Sequence, residues 1–307
     1  MRGAGGSLVA AVFALTLAGA VGPAGAELFV SPGIEAVTGY TSNRYQEPDA
    51  RGSAFTRISP SLELTAFGEG GVEGRVSLRY DRTDYLRSGA SRIQQASAEA
   101  GLTWDRPVGT WSVALSGGTY EDGAVPEDDL TWVRFEPGFA RPLLPWLSGS
   151  LGLSVTGTRY DSRRTGDGDR QAHTLWELRP GLSAHPRPGI TLWAQGLVQA
   201  NRSNEPAEEW NGGGLSVGGD WVVGGRARVG VHAKWQTIRY TETADDGSRR
   251  RDTPASVGAW GAVRLAPWAE LTASAGWTDS RSTSDPDDYT AWNAQAGVRL
   301  VYDWQPR

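Results

Sequence analysis

Residues able to do covalent or metal chemistry are sparse in this chain. It has 307 residues, three histidines (His173, His185 and His232) and no cysteine. Without cysteine there is no thiolate nucleophile, disulfide, thiolate-bound metal or acylated Cys anchor. A Ser-His-acid relay needs a hydroxyl beside a histidine. His185 falls in an expected short turn, His173 near an expected strand end, and His232 among Arg228, Gly230 and Lys234 on a polar face. No G-x-S-x-G elbow or H-E-x-x-H zinc spacing occurs. Acids crowd residues 121–129, 161–169 and 285–288 without the spacing of a calcium loop, so they read as solvated loops. Gly212-Gly213-Gly214 is followed by no Lys-Ser/Thr and no helix, so it is not a phosphate loop. No catalytic residue, metal ligand or cofactor is assigned. A hydrolase built on His173 or His232 stands as a third functional option.

A second set of reactive groups has regular spacing. Arg57, Glu63, Glu73, Arg75, Arg79, Glu99, Arg134, Glu136, Glu177, Arg179, Asp220, Arg228, His232, Lys234, Arg264 and Arg299 all fall on the polar side of alternating segments. In a membrane wall they must face inward, because an Arg or Lys at the lipid midplane costs about 2–4 kcal/mol. Such residues can line an open pore and set its selectivity, or pair and fill a closed barrel. Arg57, Arg134 and Arg179 sit at comparable places beside a repeated proline and could form a basic track. The alternative is that they pair with Glu63, Glu136 and Glu177.

Placing these rows requires strands. Leu147, Gly149, Leu151, Leu153 and Val155 alternate with Ser148, Ser150, Gly152, Ser154 and Thr156, and the same period of two recurs near 256–265 and 271–278. After residue 26 no stretch approaches the 18 or so apolar residues of a membrane helix. Short turns near 68–71, 107–109, 141–145, 185–189, 222–225 and 266–268 alternate strictly with longer polar loops. Those loops lie near 44–52, 87–93, 121–129, 162–171, 202–209, 244–252 and 281–288. Outer-membrane barrels segregate short periplasmic turns from long outer loops in this way. The fold class expected is all-β, a transmembrane antiparallel up-and-down β-barrel of about fourteen strands, with twelve or sixteen as alternatives. The strands are expected at 27–43, 53–67, 72–86, 94–106, 110–120, 130–140, 146–161, 172–184, 190–201, 210–221, 226–243, 253–265, 269–280 and 289–304. Both termini then lie at the periplasm. Residues 1–26 read as a cleaved secretory signal, with Arg2, an apolar run over 8–21 and the Ala24-Gly25-Ala26 cleavage site, leaving 27–307 as one barrel.

Three further patterns bear on placement. A hydrophobe-x-Pro-small-hydrophobe motif recurs around Pro32, Pro60, Pro137 and Pro180, and suggests a bulge or local break that bends the wall. The pairs Tyr80-Asp81, Tyr120-Glu121 and Tyr160-Asp161 read as an outer aromatic girdle. Gln295, Gly297, Leu300 and Tyr302, with Trp304 continuing the alternation, resemble the terminal assembly signal of outer-membrane barrels, although Gln305-Pro306-Arg307 follows where that signal ends on an aromatic.

In these textures the chain resembles the porin-like outer-membrane β-barrel families of proteobacteria, some of which are associated with exopolysaccharide systems. The resemblance implies a barrel, a pore, and more remotely a polysaccharide-export partner. The leading expectation is a passive channel for small hydrophilic or anionic solutes. The second is a non-conducting accessory barrel of an envelope or exopolysaccharide assembly. Expected partners are lipid, lipopolysaccharide and the barrel-assembly machinery. The net charge of −5 gives no basic footprint for nucleic acid. Oligomeric state and solute stay open.

Overall fold

The computed structural model describes residues 27–44, 52–86, 91–243, 249–283 and 288–304. The expected signal segment 1–26 and parts of the loops near 44–52, 87–93, 244–252 and 281–288 lie outside them. Fourteen antiparallel strands form one closed barrel in which each strand pairs with its chain neighbours and β1 closes on β14. They are β1 (Glu27–Thr41), β2 (Ser53–Gly68), β3 (Val72–Tyr85), β4 (Arg92–Arg106), β5 (Gly109–Asp122), β6 (Leu130–Leu144), β7 (Leu147–Arg164), β8 (Arg170–Arg187), β9 (Ile190–Ser203), β10 (Trp210–Val223), β11 (Ala227–Tyr240), β12 (Arg251–Ala266), β13 (Ala269–Ser282) and β14 (Tyr289–Val301). Single turns of 3₁₀ helix, Pro126–Asp128 and Pro206–Glu208, cap the β5–β6 and β9–β10 loops.

One rim carries only tight turns. Four are Pro-X pairs, at Pro107, Pro145, Pro188 and Pro267, where proline's fixed φ suits the first corner of a turn. In Pro188-Gly189 the glycine takes φ 79°, a left-handed angle a side chain would resist. Strands run further into this rim than the sequence suggests. Residues 141–144 and 185–187 remain paired through register shifts at Pro142/Leu144 and Ala184/Arg187. His185 is therefore in β8, not in a turn. At the other rim β7 and β8 extend to Arg164 and Arg170, past a shift at Arg159/Arg164. β14 ends at Val301; Trp304 makes only an isolated bridge to Val30.

The recurrent prolines sit in breaks, not bulges. Ile58 and Ser61 hold one register with Arg82 and Arg79 across Pro60, and Leu178 and Gly181 do so with Val198 and Gln195 across Pro180. Proline lacks the donor for one rung, but the rungs on either side keep the strands aligned.

Register decides which way each side chain points. The outward set includes Val133, Phe135, Leu151, Leu182, Val198, Leu215, Val231 and Val257, all exposed apolar residues that a bilayer would cover. Outward tryptophans and tyrosines form two belts. Trp104, Trp111, Trp146, Trp221 and Trp268 lie toward the tight-turn rim, and Tyr80, Trp176, Trp235, Trp277 and Trp292 toward the loop rim. From Trp268 to Trp277 a strand rising ~3.4 Å per residue at ~40° tilt climbs roughly 23 Å, close to the ~25 Å apolar band of such barrels. The expected girdle is thus only partly right. Tyr80 faces outward, but Tyr120 and Tyr160 face inward. The same Tyr-acid spelling falls on the opposite pleat, because the inward residues of β5 and β7 include Ser116 and Thr156, which flank inward Arg134.

Candidate functional site

The inner surface holds the groups that could act on a solute. Strands ~4.8 Å apart at ~40° tilt would make a circular fourteen-strand wall about 28 Å across. Over a width of that order inward charges pair along the wall or remain hydrated.

They do both, in three groups. On β1–β3, Glu35 lies 3.7 Å from Arg57 and 3.6 Å from Arg79. Arg79 Nε also donates to Asp81 at 2.8 Å, and the buried Ser59 hydroxyl donates to the same carboxylate at 2.5 Å. Closer to the tight turns, Arg75 donates to Glu63 at 2.5 Å. On β6–β9, Arg179 donates to Glu136 at 2.5 Å across β7. Arg134 Nε donates to Thr156 at 2.9 Å. Glu177 accepts from Ser154 at 2.7 Å and from Gln199 at 2.6 Å, and Gln236 donates to Gln199 at 3.0 Å. On β11–β13, Glu270 stands 3.6 Å from Arg228 and 3.9 Å from Arg264.

All the charged residues expected inside lie on the inward face by register. The simple pairing expected for the three arginines holds only for Glu136, and with Arg179. Arg57 meets Glu35, not Glu63, and Glu177 binds amide and hydroxyl. Nor do Arg57, Arg134 and Arg179 form one track, since β2 belongs to a different cluster from β6 and β8. Lys234 opposes Ser216 and Ser256, while Arg299 opposes Glu35 and Glu270 without reaching either as an ion pair among the described residues. Glu73, Glu99 and Asp220 likewise have no ion-pair partner among the described residues. Sequence reasoning missed Glu35, Asp81 and Glu270. Glu35 had a usable signal, an acid at an inward position of β1 between Gly33 and Val37.

The inner face also carries rings packed against glycines. His232 lies over Gly258, where an added Cβ would come within 2.5 Å of its ring, and Phe55 lies over Gly39 at 2.7 Å by the same measure. Trp132 covers Gly118, Trp193 covers Gly218 and Trp260 covers Gly230. Each glycine leaves room for a ring on the next strand to rest against the backbone rather than cross the lumen.

At the loop rim three inward tyrosines are capped by arginines. The guanidinium of Arg44 lies 4.0 Å above the Tyr85 ring, that of Arg163 4.5 Å above Tyr160, and that of Arg250 4.4 Å above Tyr240. Each arginine also pairs with an aspartate: Asp122 at 3.4 Å, Asp128, and Asp252 at 2.7 Å respectively. These contacts fasten the loops to the barrel. The histidines have other company: His173 Nδ1 is 3.1 Å from Asn201 Nδ2, and His185 Nδ1 is 3.1 Å from the Thr191 hydroxyl. Among the described residues no group of His, Cys, Asp and Glu is placed to hold a metal ion.

No protein-family model matches the chain, and no curated protein matches it. Solved structures do. The outer-membrane expressed OmpT of Vibrio cholerae superposes with a TM-score of 0.52 at 9% identity, over 92% of this chain and 99% of that one. The anion-selective porin from Comamonas acidovorans gives 0.50 at 9% identity, over 91% and 100%. The shared feature is the fold, an all-β outer-membrane-type barrel.

Proposed function

We propose that this barrel is a passive channel of the bacterial outer membrane for small hydrophilic solutes. The tight turns and both termini then lie at the periplasm, and the long loops face outward among lipopolysaccharide. One observation carries the reading. The inward ion pairs run along the wall and not across it, and their arginines keep exposed surface both mid-wall (Arg57, Arg79 and Arg179 at 28%, 44% and 29%) and toward the tight turns (Arg75, Arg228 and Arg264 at 52%, 51% and 58%). A lumen filled by its own salt bridges would bury them. The outward belts and apolar band support a bilayer as the outer solvent, and barrel-assembly machinery is the expected route to it.

An anion preference has weaker support. Among the described residues expected inside, three cations lack a carboxylate partner (Arg134, Lys234 and Arg299), against four acids that lack a cation partner (Glu73, Glu99, Glu177 and Asp220). The balance favours a weakly selective pore. Catalysis is not part of the reading: among the described residues His173 meets Asn201 and His232 lies against Gly258, and neither stands in an acid-His-Ser relay.

A second reading has one supporting observation. Asn43, Ser91 and Asp122 are buried at the loop rim, and Arg44 reaches from the end of β1 to the end of β5. A mouth narrowed in this way suits a non-conducting accessory barrel of an envelope or polysaccharide assembly. Planar-bilayer recording separates the two. Pure, folded protein is expected to give stable open steps with a reversal potential near zero under a salt gradient. Absence of steps overturns the channel in favour of the accessory barrel.

A further inference from the structure

The loop-side half of the lumen contains a recess of about 650 Å³, within the roughly 300–1,000 Å³ typical of small-molecule sites. Its walls depart from the rule of the inner face. Trp132, Tyr160 and Trp210 gather there with the inward Leu130 and Leu175, so three rings and two leucines share one stretch of the inner face. Trp132 rests on Gly118 and Trp210 lies against its neighbour Gly212, which holds both rings against the wall. Between the rings stand hydrogen-bonding groups of both kinds. Among the described residues the Arg134 guanidinium hydrogen-bonds only through Nε, to Thr156, and it also lies 5.9 Å from the Trp132 ring centroid. Glu208 and Gln95 also line the recess.

The recess is held in shape. Asn201, only 5% exposed, donates from Nδ2 to the Glu208 backbone oxygen at 2.7 Å and meets His173. That clip fixes the Pro206–Glu208 turn to β9. Arg163, stacked on Tyr160, bonds Asp128 and fixes the neighbouring Pro126–Asp128 turn. The recess is therefore preorganised by both 3₁₀ turns, which lowers the ordering cost of a ligand.

We propose that this recess is a binding subsite for a short neutral oligosaccharide. A sugar ring has an apolar face of C–H groups and a rim of hydroxyls that both donate and accept. The half-buried indoles of Trp132 and Trp210 suit the first, while Tyr160 already carries Arg163 on its ring. Arginine donors, a carboxylate acceptor and an amide suit the second. A hydrocarbon would leave Arg134, Glu208 and Gln95 desolvated without partners, a cost of the kind that makes polar sites reject apolar ligands. A purely anionic solute would meet Glu208 and leave the rings unused. The inference deepens the channel reading by naming a class of permeant, and the two can fail separately.

The test is isothermal titration calorimetry on the folded full chain in detergent, with maltotriose, cellotriose and laminaritriose as probes, beside bilayer recordings with the same sugars. Saturable binding of at least one probe is expected, with matching current block. Trp132→Ala and Trp210→Ala are each expected to weaken it about tenfold. Trp193→Ala, an inward ring outside the recess, is the control and is expected to bind as the parent does. Retained heat-modifiable gel mobility shows that each variant is folded. Conducting protein that binds no trisaccharide overturns the subsite and leaves the channel standing. Equal weakening by Trp193→Ala also overturns it. Binding without conduction upholds the subsite and overturns the channel.

Discussion

On β12 the outward residues Val257, Val263 and Leu265 are 51%, 44% and 63% exposed, and what they need from their surroundings is hydrocarbon. Their inward neighbours have individual commitments. Trp260 lies over Gly230, Arg264 faces Glu270, and Ser256 opposes Lys234. The strand and backbone are the same, but the two faces are specified differently. Membership of the outer face depends on apolarity and depth, so many residues are interchangeable there. Membership of the inner face depends on a particular partner one or two strands away. Stability should therefore respond to the chemical class of a change outside, and conductance to its identity inside.

The largest effect is expected from putting one charge on either face at similar height. Ala273→Arg, on the outer face midway between the belts at Trp268 and Trp277, forces a guanidinium into lipid and should destabilise the barrel by about 2–4 kcal/mol. Ser274→Arg, next to it on the inward pleat opposite Trp260, should change stability by less than about 1 kcal/mol. It should shift the reversal potential toward anions. Urea titrations in lipid bilayers, followed by gel mobility, measure the first, and bilayer recording measures the second. Equal destabilisation would mean that the inner face is as dry as the outer.

A smaller effect is expected where a ring rests on a glycine. A side chain at Gly230 would overlap the Trp260 indole and approach Asp220 Oδ1 at 2.6 Å. Gly230→Val should cost about 1–3 kcal/mol by overpacking and swing the indole into the lumen, lowering single-channel conductance. On the outer face Gly261, whose added Cβ meets nothing nearer than 3.7 Å, should accept valine with conductance unchanged. If Gly230→Val leaves conductance as it was, these rings do not set the bore.

This contrast also explains what could be read from the sequence. Alternation needs only local residues, so fourteen strands, their loop-length asymmetry and the inward direction of Arg79, Glu136 or Lys234 were all legible. Partners were not. The sequence offers Glu63 as a partner for Arg57, but register sets Glu63 opposite Ser77 and Ser31, and Arg75 reaches it diagonally. Glu35 joins Arg79 only because β1 and β3 flank β2. Tyr120 and Tyr160 failed for a related reason. Their pleat is set by pairing with β4, β6 and β8, and no local spelling reveals it. The recess was missed because its rings come from β6, β7 and β10, each an ordinary aromatic in its own strand.

The smallest of these effects tests the inner face as a set of pairs. Arg179 and Glu136 are 2.5 Å apart and their side chains are 29% and 26% exposed, so water screens them in part. Their coupling in a double-mutant cycle should be about 1 kcal/mol, at the upper end for partly exposed pairs. Arg179→Met alone leaves Glu136 facing the lumen without its cation, and should lower stability and move the reversal potential toward cations. Adding Glu136→Gln removes the stranded charge. It should restore the reversal potential to the parent value and recover most of the stability. If the two substitutions are simply additive in stability, Arg179 and Glu136 do not act as a pair. The inner face would then be as interchangeable as the outer one, and selectivity would follow from net charge alone.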